Sequence, residues 1–153
     1  MNVEVQIASR SSDLPDSDLL AKWAKLAMQQ RNAADVVIRL VDETESAELN
    51  ETYRHKKGAT NVLSFPFEVP AELPETALTG EMLGDMVICA PIVSAEAKEQ
   101  GKPILSHWAH MVIHGCLHLQ GYDHIIESDA SIMEGIEVEL LNNIGIKNPY
   151  EGE

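Results

Sequence analysis

The segment from His114 to His124 constrains this chain more than any other feature, because it places three histidines at i, i+4 and i+10. On a helix, His114 and His118 lie one turn apart on the same face, close enough to bind one metal ion together. A continuing helix would carry His124 about 15 Å along the axis from His114, since each residue rises about 1.5 Å. Gly121 can end the helix and turn the chain back, because glycine tolerates left-handed backbone geometry. The segment therefore predicts a helix, a glycine turn and a three-histidine metal site.

Three histidine ligands leave the fourth position of a tetrahedral ion for water, which is typical of catalytic rather than structural zinc. The spacing also matches the long metalloprotease motif H-E-x-x-H-x-x-G-x-x-H. In those proteases the residue after the first histidine is the glutamate that acts as general base, whereas here it is Gly115. We therefore expect one Zn²⁺ per chain and disfavour peptide hydrolysis, although nickel or copper would also suit imidazole ligands. His107 and His110 are interpreted as packing residues, or as hydrogen-bond partners of a ligand or phosphate.

Length and composition are those of an ordinary globular protein. The chain has 153 residues, of which 44% are hydrophobic and 24% charged, so we expect residues 1–153 to form one domain. The N-terminal residues contain no apolar signal core, and no apolar run approaches the roughly 20 residues of a membrane span. Cys89 and Cys116 form no C-x-x-C pair and are expected to be small buried hydrophobes. These features predict a cytoplasmic protein with no membrane partner.

The net charge of −14 argues against broad affinity for nucleic acids, which bind best to basic surfaces. The densest positive cluster is Arg54-His55-Lys56-Lys57, in which Lys56 and Lys57 are candidate phosphate contacts. A small cationic pocket on an otherwise acidic protein would favour one specific substrate, positioned by a partner, over non-specific binding of nucleic acids.

Hydrophobic periodicity predicts about four strands and about five helices. The strands are expected at Val3–Ser9, Val36–Val41, Thr60–Phe67 and Leu83–Ala90, and the helices at Leu14–Arg31, Thr44–Tyr53, Pro91–Gln100, Leu105–Gln120 and Ser128–Ile144. The second strand is apolar enough to be central, and Pro66 suggests an edge or a strand end for the third. Glu68–Leu78 is expected to be an exposed loop. The order favours an α+β fold, or a mixed α/β layer fold, with one sheet and the metal site on a central helix. The inward face of the last helix is expected to be Ile132, Met133, Ile136, Leu140 and Leu141.

Three segments together resemble the YbeY family of bacterial endoribonucleases. His114–His124 resembles H-G-x-L-H-L-x-G-Y-D-H, and Leu83–Ile88 resembles L-G-D-x-x-I. Arg54 followed by Thr60–Pro66 resembles an arginine followed by T-[DN]-V-L-S-F-P. Asn61 stands where many members of the family carry aspartate. The order and spacing of the segments also fit, so the resemblance covers nearly the whole chain.

The resemblance implies a single-strand-specific, metal-dependent endoribonuclease that acts in 16S ribosomal RNA 3′-end maturation and ribosome quality control. By matching position, His114, His118 and His124 would bind zinc, and Arg54 would be the essential basic residue of the active site. The partners it implies are single-stranded ribosomal RNA, the small ribosomal subunit with one of its proteins, and the GTPase Era.

The chemistry of these residues suits a phosphodiester substrate. A metal ion can polarise a phosphoryl oxygen, and the planar guanidinium of Arg54 can donate two hydrogen bonds to phosphate oxygens, which lysine cannot reproduce. The general base stays open: Asp123, beside His124, or Asp85, after Gly84, could orient a histidine or take a proton. Alternatively, the 2′-hydroxyl of the RNA itself attacks.

Two other functions stay open. The first is a metal hydrolase of another substrate, such as peptides or small phosphoesters. The second is a ribosome-assembly factor whose zinc is mainly structural and whose RNA cleavage is weak or partner-dependent, and the acidic net charge favours this alternative. A three-histidine site argues against it, because structural zinc usually has four protein ligands.

Overall fold

The computed structural model describes residues 2–12, 14–28, 34–66, 81–120 and 127–150. These ranges contain four strands and five helices, in the order β1 (Asn2–Ile7), α1 (Ser17–Met28), β2 (Ala34–Val41), α2 (Glu43–Arg54), β3 (Val62–Pro66), β4 (Glu81–Cys89), α3 (Ala90–Glu99), α4 (Ile104–Leu119) and α5 (Glu127–Asn143). The α+β class is confirmed, and each predicted helix and strand corresponds to an observed one whose ends differ by at most three residues. The predicted loop Glu68–Leu78 lies outside the described residues.

The four strands form one sheet in the order β1-β2-β4-β3. β1, β2 and β4 are parallel, and β3 pairs antiparallel with β4 at the edge. The central position predicted for β2 and the edge or strand end predicted from Pro66 are therefore confirmed. The pairing of β2 with β4 shifts register, so that Asp35 lies opposite Met82 and Val36 lies opposite Gly84. Gly84 has a φ of 141°, which other residues rarely adopt.

Alternate residues of the strands point to opposite faces of the sheet. One face, which includes Ile38, Met86 and Ile88, packs in the main hydrophobic core with α1 and α4. The other face carries a smaller cluster of Val41, Leu63, Val87 and Cys89, against which Leu49 of α2 packs. Cys89 and Cys116 are both buried free thiols, as predicted, and burial raises the pKa of Cys116 to about 12.

Helix α4 lies at the centre of the fold and is buried on most of its surface, as a helix with apolar residues all round should be. Its buried residues are His107, Trp108, Ala109, His110, Met111, Val112, Ile113, Gly115, Cys116, Leu117 and Leu119. Gly115 allows α4 to approach β4, because a Cβ atom at this position would lie 2.6 Å from Sδ of Met86. The missing side chain at position 115 thus has a packing reason. None of the helices in the described ranges is both long enough and apolar enough to cross a membrane.

Helix α5 corrects one expectation about its inward face. Met133, Leu140 and Leu141 are buried as predicted, but Ile132 is 57% exposed. Glu137 instead takes an inward position and is 0% exposed. Residues 133, 137, 140 and 141 share one side of a 3.6-residue helix, whereas residue 132 is turned away from that side.

Candidate metal centre

Helix α4 brings together the first two predicted zinc ligands. The ring centroids of His114 and His118 are 4.6 Å apart, and the ring planes are inclined by 80°. Both side chains are half-buried near the C-terminal end of α4, so they stand at the boundary between the core and the surface. The predicted third ligand His124, together with Gly121 and Asp123, lies outside the described residues.

Glu137 of α5 lies against His114. Oε1 of this buried carboxylate is 2.6 Å from Nδ1 of His114. Because an ionised carboxylate only accepts hydrogen bonds, Nδ1–H of the imidazole is the donor, and the unprotonated nitrogen of a neutral ring is then Nε2. The contact thus selects the tautomer that presents Nε2 as a potential metal ligand.

Tyr150 and His110 extend this contact into a network. The Tyr150 hydroxyl donates to Oε2 of Glu137 at 2.5 Å. Nε2 of His110 is 3.1 Å from the Tyr150 hydroxyl oxygen and 3.4 Å from Oε1 of Glu137. Since the single hydroxyl proton points to Glu137, Nε2–H of His110 donates to the tyrosine oxygen. Both carboxylate oxygens of Glu137 are therefore hydrogen-bonded.

The network keeps Glu137 ionised although it is buried. Burial alone raises the pKa of Glu137, but the hydrogen bonds from His110, His114 and Tyr150 and the charge of His114 outweigh it and lower the pKa to about 2. The pKa of Tyr150 is raised above its ordinary value by burial and by its bond to Glu137. His110, His114 and Glu137 have potential ligand atoms that all lie within 4.8 Å of one another. This group could therefore also hold a metal ion.

The sequence did not predict a role for Glu137 or Tyr150. The available signal was a glutamate on the apolar side of a helix, where Met133 and Leu140 are its neighbours at i−4 and i+3. A charged residue at such a position is rarely buried without a partner.

His107 belongs to a separate, partly buried contact. Its Nε2 is 2.9 Å from Oε1 of Glu96 on α3, and Nδ2 of Asn61 donates to both Glu96 oxygens at 3.2 and 3.3 Å. Burial lowers the pKa of His107, and its hydrogen bond to Glu96 opposes that shift. Asn61 thus contributes a donor to Glu96, which an aspartate at this position would not supply. His107 and His110 are both buried and hydrogen-bonded, and the position of His110 beside Glu137 adds the possible metal group described above.

Arg54 ends helix α2 at the sheet edge. Its Nη2 donates to the carbonyl oxygen of Ser64 on edge strand β3, and its Cζ is 5.4 Å from the ring centroid of Phe65. The hydroxyl of Ser64 donates to the carbonyl oxygen of Gly115 at 3.3 Å. Ser64 thereby joins Arg54 to the residue that follows His114. The structure brings the predicted arginine and the histidine helix to the same edge of the sheet.

Lys56 and Lys57 follow Arg54 beyond the end of α2. His55 caps the C-terminal end of α2 with a left-handed φ of 58°, so the chain turns before the two lysines. Both lysines are exposed, which leaves them accessible to an anionic ligand near Arg54.

Asp85 does not meet the histidines. Met86 contacts α4 at Gly115, so the preceding residue points to the opposite face of the sheet. There Asp85 lines a groove of about 430 Å³ with Arg39, Tyr53 and Phe65 among its neighbours. An orienting bond between Asp85 and His114 is not present in this arrangement.

The chain is similar to known proteins over almost its full length. Residues 5–145 match the family model described as endoribonuclease YbeY. The endoribonuclease YbeY of Methylococcus capsulatus is 55% identical over 150 residues, which cover 98% of this chain and 95% of that protein. The endoribonuclease YbeY of Pseudomonas putida is 57% identical over 137 residues, or 89% of this chain and 85% of that protein.

A solved structure is also similar. The solution structure of TM1509 from Thermotoga maritima superposes with a TM-score of 0.59 at 26% identity, covering 92% of this chain and 88% of that one. The resemblance predicted from the three sequence segments is thereby confirmed, and the chain belongs to the YbeY endoribonuclease family.

Proposed function

We propose that this protein is a zinc-dependent endoribonuclease that cuts single-stranded RNA, with one Zn²⁺ bound by His114, His118 and His124. The observation that carries the proposal is the convergence of two features at one edge of the sheet. The rings of His114 and His118 are 4.6 Å apart, and Arg54 is joined to the same turn of α4 through Ser64. Family membership supports RNA as the substrate.

The described residues fit a zinc ion. Two imidazoles one helical turn apart are suitable nitrogen ligands for one tetrahedral ion. The bond between Nδ1 of His114 and Glu137 leaves Nε2 free of its proton, as metal ligation requires. When bound, zinc supplies a Lewis acid that polarises a phosphoryl oxygen and lowers the pKa of water. Nickel and copper are the alternatives for this ligand set.

Arg54 is proposed to bind the scissile phosphate. One amino group of its guanidinium holds Ser64, and the Phe65 ring lies beside it, so the side chain is oriented before RNA arrives. The remaining N–H donors can bind the non-bridging oxygens and stabilise the negative charge that grows on them. Loss of such a contact typically costs about 3 kcal/mol, or about a hundredfold in rate. Lys56 and Lys57 are proposed as peripheral phosphate contacts.

The described residues leave open which group acts as the nucleophile and which group accepts its proton. Glu137 is buried and uses both oxygens in hydrogen bonds, and Asp85 lies on the opposite face of the sheet. Within the described ranges, Glu137 has both oxygens engaged and Asp85 does not contact the histidines. This supports either attack by the RNA 2′-hydroxyl or a role for Asp123. A 2′,3′-cyclic phosphate at the cut end supports the first, and a 5′-phosphate with a 3′-hydroxyl excludes it.

For the biological substrate we propose the precursor of the 16S ribosomal RNA 3′ end, with a further role in ribosome quality control. This rests on the resemblance of the motifs, as do the proposed partners: the small ribosomal subunit, one of its proteins, and the GTPase Era. The net charge of −14 supports a substrate that partners deliver, because an acidic surface repels free RNA. Such a substrate would put the protein in the cytoplasm, as the sequence predicts.

The acidic charge also favours a second function, in which the protein is an assembly factor that acts on the ribosome with little cleavage of its own. The experiment that separates the two uses protein stripped of metal and then reloaded with Zn²⁺. Cleavage of a single-stranded precursor end and of a matched duplex is measured for the wild type, Arg54→Ala and Arg10→Ala. Arg10 is an exposed arginine after β1, at the opposite edge of the sheet, and serves as the matched control.

If the protein is the proposed enzyme, we expect it to cut the single strand only after zinc is restored. We expect the cleavage rate to fall about a hundredfold in Arg54→Ala but not in Arg10→Ala. Equal rates in the two arginine variants would remove Arg54 from the active site. No cleavage by any preparation, together with restored ribosome maturation by Arg54→Ala in cells, would favour the assembly factor.

A further inference from the structure

We infer that Glu137 is a positioning residue for the metal centre, held in place by Tyr150 and His110, and that it is not itself a metal ligand. The inference rests on the proposed function, because it takes His114 as a zinc ligand. Two arrangements are possible for the buried carboxylate. It either orients His114 from behind, or it coordinates an ion directly with His110 and His114.

The hydrogen bonds around Glu137 favour the first arrangement. Oε1 accepts the Nδ1 proton of His114 at 2.6 Å, and Oε2 accepts the Tyr150 hydroxyl at 2.5 Å. An ion on Nδ1 of His114 would have to replace that proton and break the 2.6 Å bond to Glu137. The side chain of Glu137 is also 0% exposed, so water has no direct access to the carboxylate.

The position of His118 also favours the arrangement in which Glu137 orients His114. His118 lies one turn after His114 with ring centroids 4.6 Å apart, whereas His110 lies one turn before it with centroids 6.1 Å apart. His118 is half-buried and His110 is buried. The more accessible pair of rings suits a substrate-binding ion, and the buried ring suits a hydrogen-bonded support.

Tyr150 and His110 complete the support. Nε2–H of His110 donates to the Tyr150 oxygen at 3.1 Å, and the Tyr150 proton goes on to Glu137. A donor chain of this kind strengthens each of its bonds and prevents the carboxylate from rotating. Tyr150 lies after the end of α5 and 43% of its surface is exposed. Tyr150 therefore reaches back from beyond α5 to support the metal centre through Glu137.

The test measures zinc affinity by competition with a chromophoric chelator, together with the tautomer of His114 from ¹⁵N ring shifts in the metal-free protein. The variants are Glu137→Gln, Tyr150→Phe, His118→Ala and Glu139→Gln. Glu139 is an exposed glutamate on the same helix, so its variant is the matched control. Thermal unfolding of each metal-free variant shows whether it is folded.

A positioning role predicts that Glu137→Gln still binds one zinc per chain, with an affinity lowered by about 10–100-fold. Its His114 ring should lose the single Nδ1–H tautomer of the wild type, which a purely structural role would not change. Tyr150→Phe keeps the ring and should weaken zinc binding by a smaller factor, and Glu139→Gln should match the wild type. If Glu137→Gln does not fold, the zinc affinity and the His114 tautomer of Tyr150→Phe test the positioning role instead.

The outcomes separate the two proposals. Zinc lost altogether in Glu137→Gln but retained in His118→Ala would show that Glu137 is a direct ligand with His110 and His114, and would overturn both proposals. Zinc lost in His118→Ala, with Glu137→Gln and Tyr150→Phe unchanged in affinity and tautomer, would leave the zinc site in place and overturn the positioning role alone.

Discussion

Gly115 offers the sharpest test of how helix α4 packs on the sheet. A Cβ atom at this position would lie 2.6, 3.0 and 3.1 Å from Sδ, Cγ and Cε of Met86. Met86 is 0% exposed, so its side chain has little room to move aside. Overpacking of this kind costs about 1–3 kcal/mol, whereas Gly to Ala in a helix interior gains about 1 kcal/mol. We therefore expect Gly115→Ala to lower the free energy of unfolding by about 1 kcal/mol.

The contact with Met86 can be isolated by a double-mutant cycle. In a Met86→Ala background the obstructing atoms are gone, so Gly115→Ala should raise the free energy of unfolding by about 1 kcal/mol through helix propensity alone. The coupling between the two sites is then about 2 kcal/mol, and the effect of Gly115→Ala changes sign between the backgrounds. Gly135 is the control, because it lies in α5 and a Cβ there meets nothing within 4 Å. Gly135→Ala should stabilise both backgrounds alike.

The assay is urea unfolding of metal-free protein, so that metal binding does not contribute to the measured stability. Trp23 and Trp108 are both buried in the core and report unfolding by fluorescence, and equal m-values confirm that the variants unfold to comparable states. If Gly115→Ala stabilises the wild-type background as much as Gly135→Ala does, the close approach of α4 to β4 is refuted. The contact with Met86 would then no longer explain why position 115 is a glycine.

Three further predictions concern buried and half-buried polar groups. Asn61→Asp replaces a donor to Glu96 with a second carboxylate, so we expect a loss of about 1–3 kcal/mol in the free energy of unfolding near neutral pH, compared by urea titration with an isosteric Asn61→Leu. Burial lowers the pKa of His107 below its ordinary value of 6.5, so its contribution to stability is present above that value and is lost as pH falls below it. His107→Gln should therefore flatten the decline in unfolding free energy between about pH 7 and pH 5, and an unchanged slope would contradict the assignment. Because burial raises the pKa of Cys116 to about 12 and Cys89 is buried too, neither thiol should react with a disulfide reagent at about pH 8 until urea is added.

Local spacing in the sequence was enough to predict the helices and strands and the proximity of His114 to His118. The period of apolar residues located each strand and helix of the described ranges within a few residues, because side-chain direction follows backbone geometry over a few positions. The pairing of His114 with His118 needs only the i, i+4 geometry of a helix. The three sequence segments also sufficed for the family, which the comparisons confirm.

Contacts between distant elements were decided only by the tertiary structure. Asp85 and Met86 are adjacent, yet only the packing of α4 on one face of the sheet determines that Met86, and not Asp85, meets the histidine helix. Gly115 was interpreted from the sequence as the loss of a general base, whereas the fold shows that Met86 occupies the space of its side chain.

Glu137 shows most clearly that contacts between distant elements do not follow from local sequence. It lies 23 residues from His114 along the chain, so no local period connects the two, and a glutamate at the edge of an apolar stripe is usually a solvated charge. Its role depends on how α5 lies against α4, which is set by the burial of many side chains together. The helix and the spacing of His114 and His118 follow from short-range geometry, whereas the contact between Glu137 and His114 depends on packing across the whole core.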